Sequence, residues 1–384
     1  MRLLFVTHTL PLPGQSLSNI GGMQRVAAEQ LAALRQLPDV HLSSLVLESS
    51  SRWTGLRTGP FLARLLRDIP RRVKEERIEA VLFSSMVTAS VAVPLRRRLA
   101  RAGVVLGAIP LGLDVTLPNR VYQRFVPRVF RALDVIFPIS RATANACITR
   151  GATPDQIHIV PCGADPERFP IVVNRAAARR ALFDALASAG EPAIPHESLL
   201  LFSIGRHQER KGFHWFVDEV VPRLPRDVVY LLAGRGPMTP HIRERVRVHG
   251  LEERVRILGK VDEETLSTLY RGADLFLMPN VPVPGDMEGF GVVLLEAGLN
   301  GLPILAADLE GIRDVVQPGE NGVLLPARRP EAWAAAIVRA RERMGSRDRV
   351  AARTRRFTVD HFGWDSIARQ LVEGLRSASP PPDA

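Results

Sequence analysis

The chain has 384 residues, 46% hydrophobic and 24% charged, an ordinary globular balance with length for about two domains. That balance excludes disorder as a description of the whole chain, and no apolar run approaches the roughly 18 residues of a membrane span. The net charge of +11 points either to an acidic partner or to arginine used as a solubilising surface.

Met1–Val6 is apolar but short, and no small-residue cleavage site follows it. A cytoplasmic protein is therefore expected. Leu3–Thr7 reads as a β run and Gly22–Leu34 as an amphipathic helix with Val26, Leu31 and Leu34 on one face. Val81–Phe83, Val104–Ala108, Val135–Pro138 and Ile157–Val160 are further short apolar runs separated by helical stretches. This alternation predicts parallel strands joined by crossover helices. A helical stretch, Arg175–Ala189, lies in a proline-rich join between Cys162 and Ser198. The pattern then restarts with strands Leu199–Ile204, Val228–Ala233, Val255–Leu258, Leu275–Met278 and Pro303–Ala306. Between them lie the helical stretches Gly212–Arg223, Thr239–Val248, Glu263–Tyr270 and Gly291–Leu299. Phe362–Arg376 is amphipathic through Trp364, Ile367, Leu371 and Leu375. The proline-rich tail, Ser377–Ala384, is expected to be disordered.

The strongest motif is Glu288-Gly-Phe-Gly-Val-Val-Leu-Leu-Glu296. Glu288 would precede a helix and Glu296 would lie about one and a half turns into it. A helix N-terminus offers unpaired N–H groups and partial positive charge, and glycines ahead of it let a phosphate approach. An acid on the next turn can accept from sugar or ribose hydroxyls. The alternative is a buried helix with a glycine-rich entry and two solvated acids. A second motif runs Ser203-Ile-Gly205-Arg206-His-Gln-Glu-Arg-Lys211-Gly212. Two cations in a loop after a strand suit a diphosphate, though this is no Walker A loop. The alternative is a solvated basic loop. Lysine occurs only at 74, 211 and 260 against 48 arginines, so Lys211 marks a place where a compact charge is wanted.

Asn19-Ile-Gly21-Gly22 offers a tight turn ahead of the first helix. Gly234-Arg-Gly236-Pro lacks the third glycine of a dinucleotide fingerprint and reads as a turn. The sequence has no Asp-x-Asp, leaving Asp286-Met-Glu288 as the nearest metal-ligand substitute. It also has no histidine pair at metal spacing and no Gly-x-Ser-x-Gly. With cysteine only at 147 and 162, there is no disulfide framework.

Taken in order, these residues resemble the family 4 glycosyltransferases. The resemblance covers nearly the whole chain. It includes Gly21-Gly22, Ser140 with Thr143, Pro161–Phe169, Gly205-Arg206 with Lys211-Gly212, and Gly259-Lys260-Val261. It continues through Glu288 to Glu296, Gly301-Leu-Pro303 to Gly311, and Gly319 to Pro326. It implies an α/β GT-B fold of two facing Rossmann-like domains with parallel sheets. Residues 1–165 would form the acceptor-side domain and 166–361 the nucleotide-sugar domain. Residues 362–384 would hold a crossover helix and the tail.

The implied activity is metal-independent sugar transfer from a nucleotide-diphosphate sugar, with retention at the anomeric carbon and no cofactor beyond the donor. Acceptors would be a glycan, a lipid-linked sugar or a small molecule, in cell-surface glycan synthesis. By the same resemblance Arg206 and Lys211 hold the diphosphate and Glu288 binds the transferred sugar. Gly289, Phe290, Gly291, Val292 and Val293 present backbone N–H groups, and Glu296 binds the ribose. The base lies near Lys260 and Val261, Gly205 lines the donor loop, and Gly21 and Gly22 close over the diphosphate. One departure stands out. The family segment His-Gly-x-Asp here reads Leu111-Gly112-Leu113-Asp114. Leucine cannot donate to a phosphate or hydroxyl. Either His8 or another group substitutes, or the protein is a slow or inactive relative that binds nucleotide-sugar.

The charge is uneven. Residues 1–165 carry 21 basic and 11 acidic side chains, net +10, whereas 166–384 carry 30 and 29, net +1. Arg64, Arg67, Arg71, Arg72, Lys74 and Arg77 form one cluster and Arg96, Arg97, Arg98 and Arg101 another. Phe61, Leu62, Leu65, Leu66 and Ile69 are interleaved, as in an interfacial segment, so an anionic membrane surface is an expected partner. Nucleic acid is not, because no nucleic-acid module is recognisable.

Overall fold

The computed structural model describes residues 1–10, 12, 22–49, 54–169, 174–342 and 347–378. The tail from 379 onward lies outside these residues. The chain divides into two compact units: Met1–Gly163 together with the last segment from Phe362, and Ala164–His361.

The first unit is built on five parallel strands: β1 (Arg2–Leu10), β2 (His41–Glu48), β3 (Ala80–Phe83), β4 (Val105–Ala108) and β5 (Val135–Ile136). Their spatial order is β2-β1-β3-β4-β5. β1 is buried along Leu3–Leu10 because it lies inside the sheet with helices over it, as parallel sheets require. The helix Trp364–Ser377 belongs to this unit and buries Trp364, Ile367, Leu371 and Leu375. A Cβ on Gly163 would stand 2.2 Å from the Trp364 ring, so glycine there lets the returning helix seat.

The second unit has six parallel strands: β6 (Leu199–Ile204), β7 (Val228–Ala233), β8 (Val255–Gly259), β9 (Leu275–Met278), β10 (Ile304–Ala307) and β11 (Gly322–Leu325). Their order is β11-β10-β9-β6-β7-β8. The helices Thr239–Val248, Glu263–Gly272 and Val292–Leu299 follow β7, β8 and β9. The helical stretch after Gly212 is irregular. It widens to a π turn over Phe216–Val220 and tightens over Val221–Arg223, where Pro222 lacks an N–H.

Two strands, β2 and β11, are absent from the sequence reading, and both are sheet edges. Ile157–Val160, expected as a strand, makes only a single bridge to Ile136. β5 is two residues long and runs into Pro138, which has no N–H; beyond it Phe137 N still donates to Ala108 O, and on the other side His158 N bonds Ile136 O and Val160 N bonds Pro138 O. In the segment read as interfacial, Leu65 and Ile69 are buried at 1% and 0% exposure on the helix Thr54–Glu76, so part of its apolar face serves the core, while Phe61 and Leu62 are half-buried and Leu66 is exposed.

Candidate active site

In open parallel sheets, ligands bind beyond the strand C-termini where the strand order reverses. In the second unit that point lies between β6 and β9, whose downstream loops are tied together. Ser203 Oγ donates to Leu277 O at 2.7 Å, and Val281 N donates to Arg210 O at 2.9 Å. Gly212 makes the approach possible. It sits at φ +66°, and a Cβ there would lie 1.9 Å from Pro279 O. Gly212→Ala is therefore expected to destabilise by about 2 kcal/mol or more. Gly250→Ala, at φ +59° in open space, should cost only the left-handed strain, about 1 kcal/mol. Urea unfolding of both variants checks this; equal losses would mean that the Pro279 contact does not matter.

On this frame Lys211 and Glu288 meet. Both are buried, at 9% and 8% exposure, and Lys211 Nζ donates to Glu288 Oε2 at 2.5 Å. Asn280 Nδ2 adds a bond to the same oxygen at 3.1 Å, and Arg210 Nε lies 3.4 Å from it. Burial alone would raise the Glu288 pKa; Lys211 and Arg210 outweigh it and hold the carboxyl below its usual range. Glu288 Oε1 takes no partner among the described residues, and Lys211 keeps two further N–H donors. The Lys211 Cε and the Phe213 ring both lie against Gly205, each 3.7 Å from where a Cβ would stand.

The Glu288 loop is also fastened from the β10 side. Glu288 N donates to Glu310 Oε2 at 2.5 Å, and Gly311 N to Glu288 O at 3.2 Å. A Cβ on Gly311 would stand 2.0 Å from Gly289 O. Gly291 at φ +90° then turns the chain into the helix Val292–Leu299. Phe290 is buried, whereas Val292 and Val293 are half-buried at the helix N-terminus. Asp286, the possible metal-ligand partner of Glu288, is engaged by Arg210 at 3.1 Å.

Arg206 is exposed and has no side-chain partner among the described residues. Lys260 is exposed and Val261 half-buried just past β8. Arg235, which the sequence reading did not single out, lies beside Gly259: a Cβ there would be 3.0 Å from its Nε. Gly234 runs against the loop after β6, where a Cβ would meet Gly205 O at 2.0 Å, and the chain turns just after it, with Thr239 N donating to Gly236 O at 3.0 Å. Glu296 does not join Glu288. Its carboxylate accepts from the Tyr270 hydroxyl at 2.7 Å and from Arg168 Nη1 at 3.3 Å, and Arg168 also binds Glu263. Sequence reasoning missed Asn280, Tyr270, Arg210 and Glu310. Arg168 was visible only as part of the Pro161–Phe169 motif.

In the first unit, strand order reverses between β1 and β3. His8 lies near the end of β1, buried, with Nδ1 unpaired among the described residues; burial pulls its pKa to about 4, so it is neutral at pH 7. Ser84 Oγ, just past β3, is likewise buried without a partner. Asp114 bridges two loops, accepting from Leu111 N at 2.8 Å and from Met86 N at 2.9 Å. Leu111 is half-buried and contributes no polar side-chain atom. Gly21 lies outside the described residues. Gly22 is exposed and opens the helix Gly22–Gln36, with open space where a Cβ would stand.

Residues 20–168 match the family description Glycosyltransferase Family 4, and residues 198–343 match Glycosyl transferases group 1. A D-inositol 3-phosphate glycosyltransferase from Xylanimonas cellulosilytica is 34% identical over 258 residues, 66% of this chain and 59% of that protein. The amylovoran biosynthesis glycosyltransferase AmsK of Erwinia amylovora is 26% identical over 257 residues, again 66% of this chain and 59% of the relative. The matched part thus spans under two thirds of these curated relatives. The crystal structure of Anabaena Alr3699/HepE in complex with UDP and glucose superposes with a TM-score of 0.73 at 17% identity, covering 98% of this chain and 100% of that one. Two family descriptions across both units, and two parallel sheets of matching fold, place this chain in glycosyltransferase family 4 with the GT-B fold.

Proposed function

We propose that the protein transfers a sugar from a nucleotide-diphosphate sugar to an acceptor, with retention at the anomeric carbon and without a metal ion. The observation that carries this reading is the buried Lys211–Glu288 pair at the β6/β9 reversal, with Arg206 unpaired beside it in sequence. Lys211 and Arg206 neutralise the leaving diphosphate as the bond to the sugar breaks, the role a cation plays elsewhere. The open Oε1 of Glu288 accepts from hydroxyls of the transferred sugar. Backbone N–H groups from Gly289 to Val293 face the phosphate and sugar at a helix N-terminus. Glu296, oriented by Tyr270 and Arg168, accepts from the ribose, and Lys260 and Val261 border the base.

Metal independence is supported by Asp286 and Glu288 each already having a cationic partner. UDP, the nucleotide in the Anabaena structure, is the first to test. The relatives act in inositol-phosphate glycosylation and amylovoran biosynthesis, and on that likeness the acceptor is taken to be a glycan, a lipid-linked sugar or a small molecule in cell-surface polysaccharide synthesis. Among the described residues no helix is long and apolar enough to cross a membrane. The basic first unit supports attachment to an anionic membrane surface.

Incubation with a panel of nucleotide-sugars, read by NMR at the anomeric proton, tests the reading. Retained configuration is expected, with activity intact in EDTA. Loss in EDTA restored by Mg²⁺ or Mn²⁺ would overturn metal independence. Leu111 favours a second reading, an inactive nucleotide-sugar binder: it predicts nucleotide binding with neither transfer nor donor hydrolysis.

A further inference from the structure

Five cations gather on the first unit at the end of the sheet away from the strand C-termini. Lys74 lies in the last turn of the helix Thr54–Glu76 and Arg77 follows it; Arg97, Arg98 and Arg101 lie on the helix Ala92–Arg101. With Glu79 they line a groove of about 910 Å³. Glu79 immediately precedes β3 and Gly103, also on the wall, precedes β4. The groove therefore lies at the strand N-termini, whereas substrates of open α/β sheets bind at the opposite ends.

Pairing separates these residues from their neighbours. On the same two helices Arg64 pairs with Asp68 at 2.7 Å, Arg71 with Glu75 at 3.6 Å, Arg72 with Glu76, and Arg96 with Asp134 at 2.7 Å. Among the described residues, none of the five groove cations has an ion-pair partner. Glu79 is the single carboxylate on the wall, and its Oε2 already accepts from Arg2 N at 2.6 Å. Each helix C-terminus can favour one nearby cation, which leaves most of the positive charge unbalanced. Arg77 is also held at φ +52°, a conformation that costs a side chain strain and that glycine or asparagine usually fills. Val73 and Pro94 add apolar surface between the charges.

We propose that this groove binds a phosphate-bearing polyanion, carried either on a lipid headgroup or free in solution. The proposal rests on no part of the sugar-transfer reading. Each basic residue near an anionic surface is worth about fivefold in affinity, so three reversals should cost about a hundredfold or more. The test compares the full chain carrying Arg97→Glu, Arg98→Glu and Arg101→Glu with one carrying Arg57→Glu, Arg67→Glu and Arg71→Glu, which matches its charge but leaves the groove intact. All six side chains are exposed, so folding should persist, and thermal unfolding verifies it. The probes are vesicles of phosphatidylcholine with and without phosphatidylglycerol, read by sedimentation at low salt, and inorganic tripolyphosphate, read by calorimetry. Loss in the groove variant alone, with phosphatidylglycerol vesicles as the bound probe, assigns a lipid headgroup. The same loss with tripolyphosphate bound and vesicles not assigns a soluble ligand. Wild-type protein that binds neither probe, or equal loss in both variants, overturns the proposal.

Discussion

Lys211→Ala and Arg206→Ala are each expected to lower turnover by about 10²-fold or more, the usual cost of removing one charge donor from a transition state. The two arrive at this by different routes. Lys211 is buried and already aligned by Glu288, so its ammonium is held in a low-dielectric site where its charge acts strongly. Arg206 is exposed and without a partner among the described residues, so it is free to close on a diphosphate. The difference supplies a control. Arg206→Ala removes no side-chain hydrogen bond or ion pair among the described residues and should leave thermal stability unchanged, so its kinetic loss reports the reaction alone. Lys211→Ala strands a buried carboxylate and should also unfold more easily. Steady-state kinetics with the accepted donor decides the matter; near-normal turnover in either variant would remove that residue from the diphosphate site.

Glu288→Ala and Glu296→Ala should separate sugar recognition from nucleotide binding. Glu288→Ala is expected to alter sugar choice and turnover while leaving nucleoside diphosphate affinity largely intact. Glu296→Ala should do the reverse, because its carboxylate sits with Tyr270 and Arg168 in a different polar network. Calorimetry with free nucleoside diphosphate measures the split; nucleotide affinity lost in Glu288→Ala and kept in Glu296→Ala would exchange the roles. Glu288 also carries a pH signature. Its folded pKa lies below the unfolded value, so its stabilisation is present above the ordinary carboxylate range and is lost as pH falls through the folded value. Glu288→Gln should therefore show a shallower loss of stability on acidification than the wild type.

The central strands of both sheets were legible in the sequence because strands buried on both faces read as unbroken apolar runs. β6, β7 and β9 are such runs, and their limits match the sequence reading residue for residue. The edges were not. β2 breaks its apolar residues with Ser43 and Ser44 and is only half-buried, and β11 is a four-residue strand, Gly322–Leu325, with Val323 exposed. Lys211, Glu288 and Glu296 were likewise legible, since their spacing sets charge against a glycine-rich helix entry.

Sequence by itself thus determined the fold class and the family, and it singled out Lys211, Glu288 and Glu296 as candidates. Tertiary structure decided which of them meet. Lys211 and Glu288 stand 77 positions apart, and only the β6/β9 neighbourhood, closed by Gly212 against Pro279, sets them within hydrogen-bond reach. Asn280, Tyr270 and Glu310 carry no local signal, because their roles come from segments after different strands: Asn280 donates to the Glu288 carboxylate, Tyr270 to the Glu296 carboxylate, and Glu310 accepts from the Glu288 backbone N–H. The same holds for the arginines of the first unit. Which are neutralised by a neighbour and which are left to line an open groove depends on helix faces and partners that spacing along the chain does not specify.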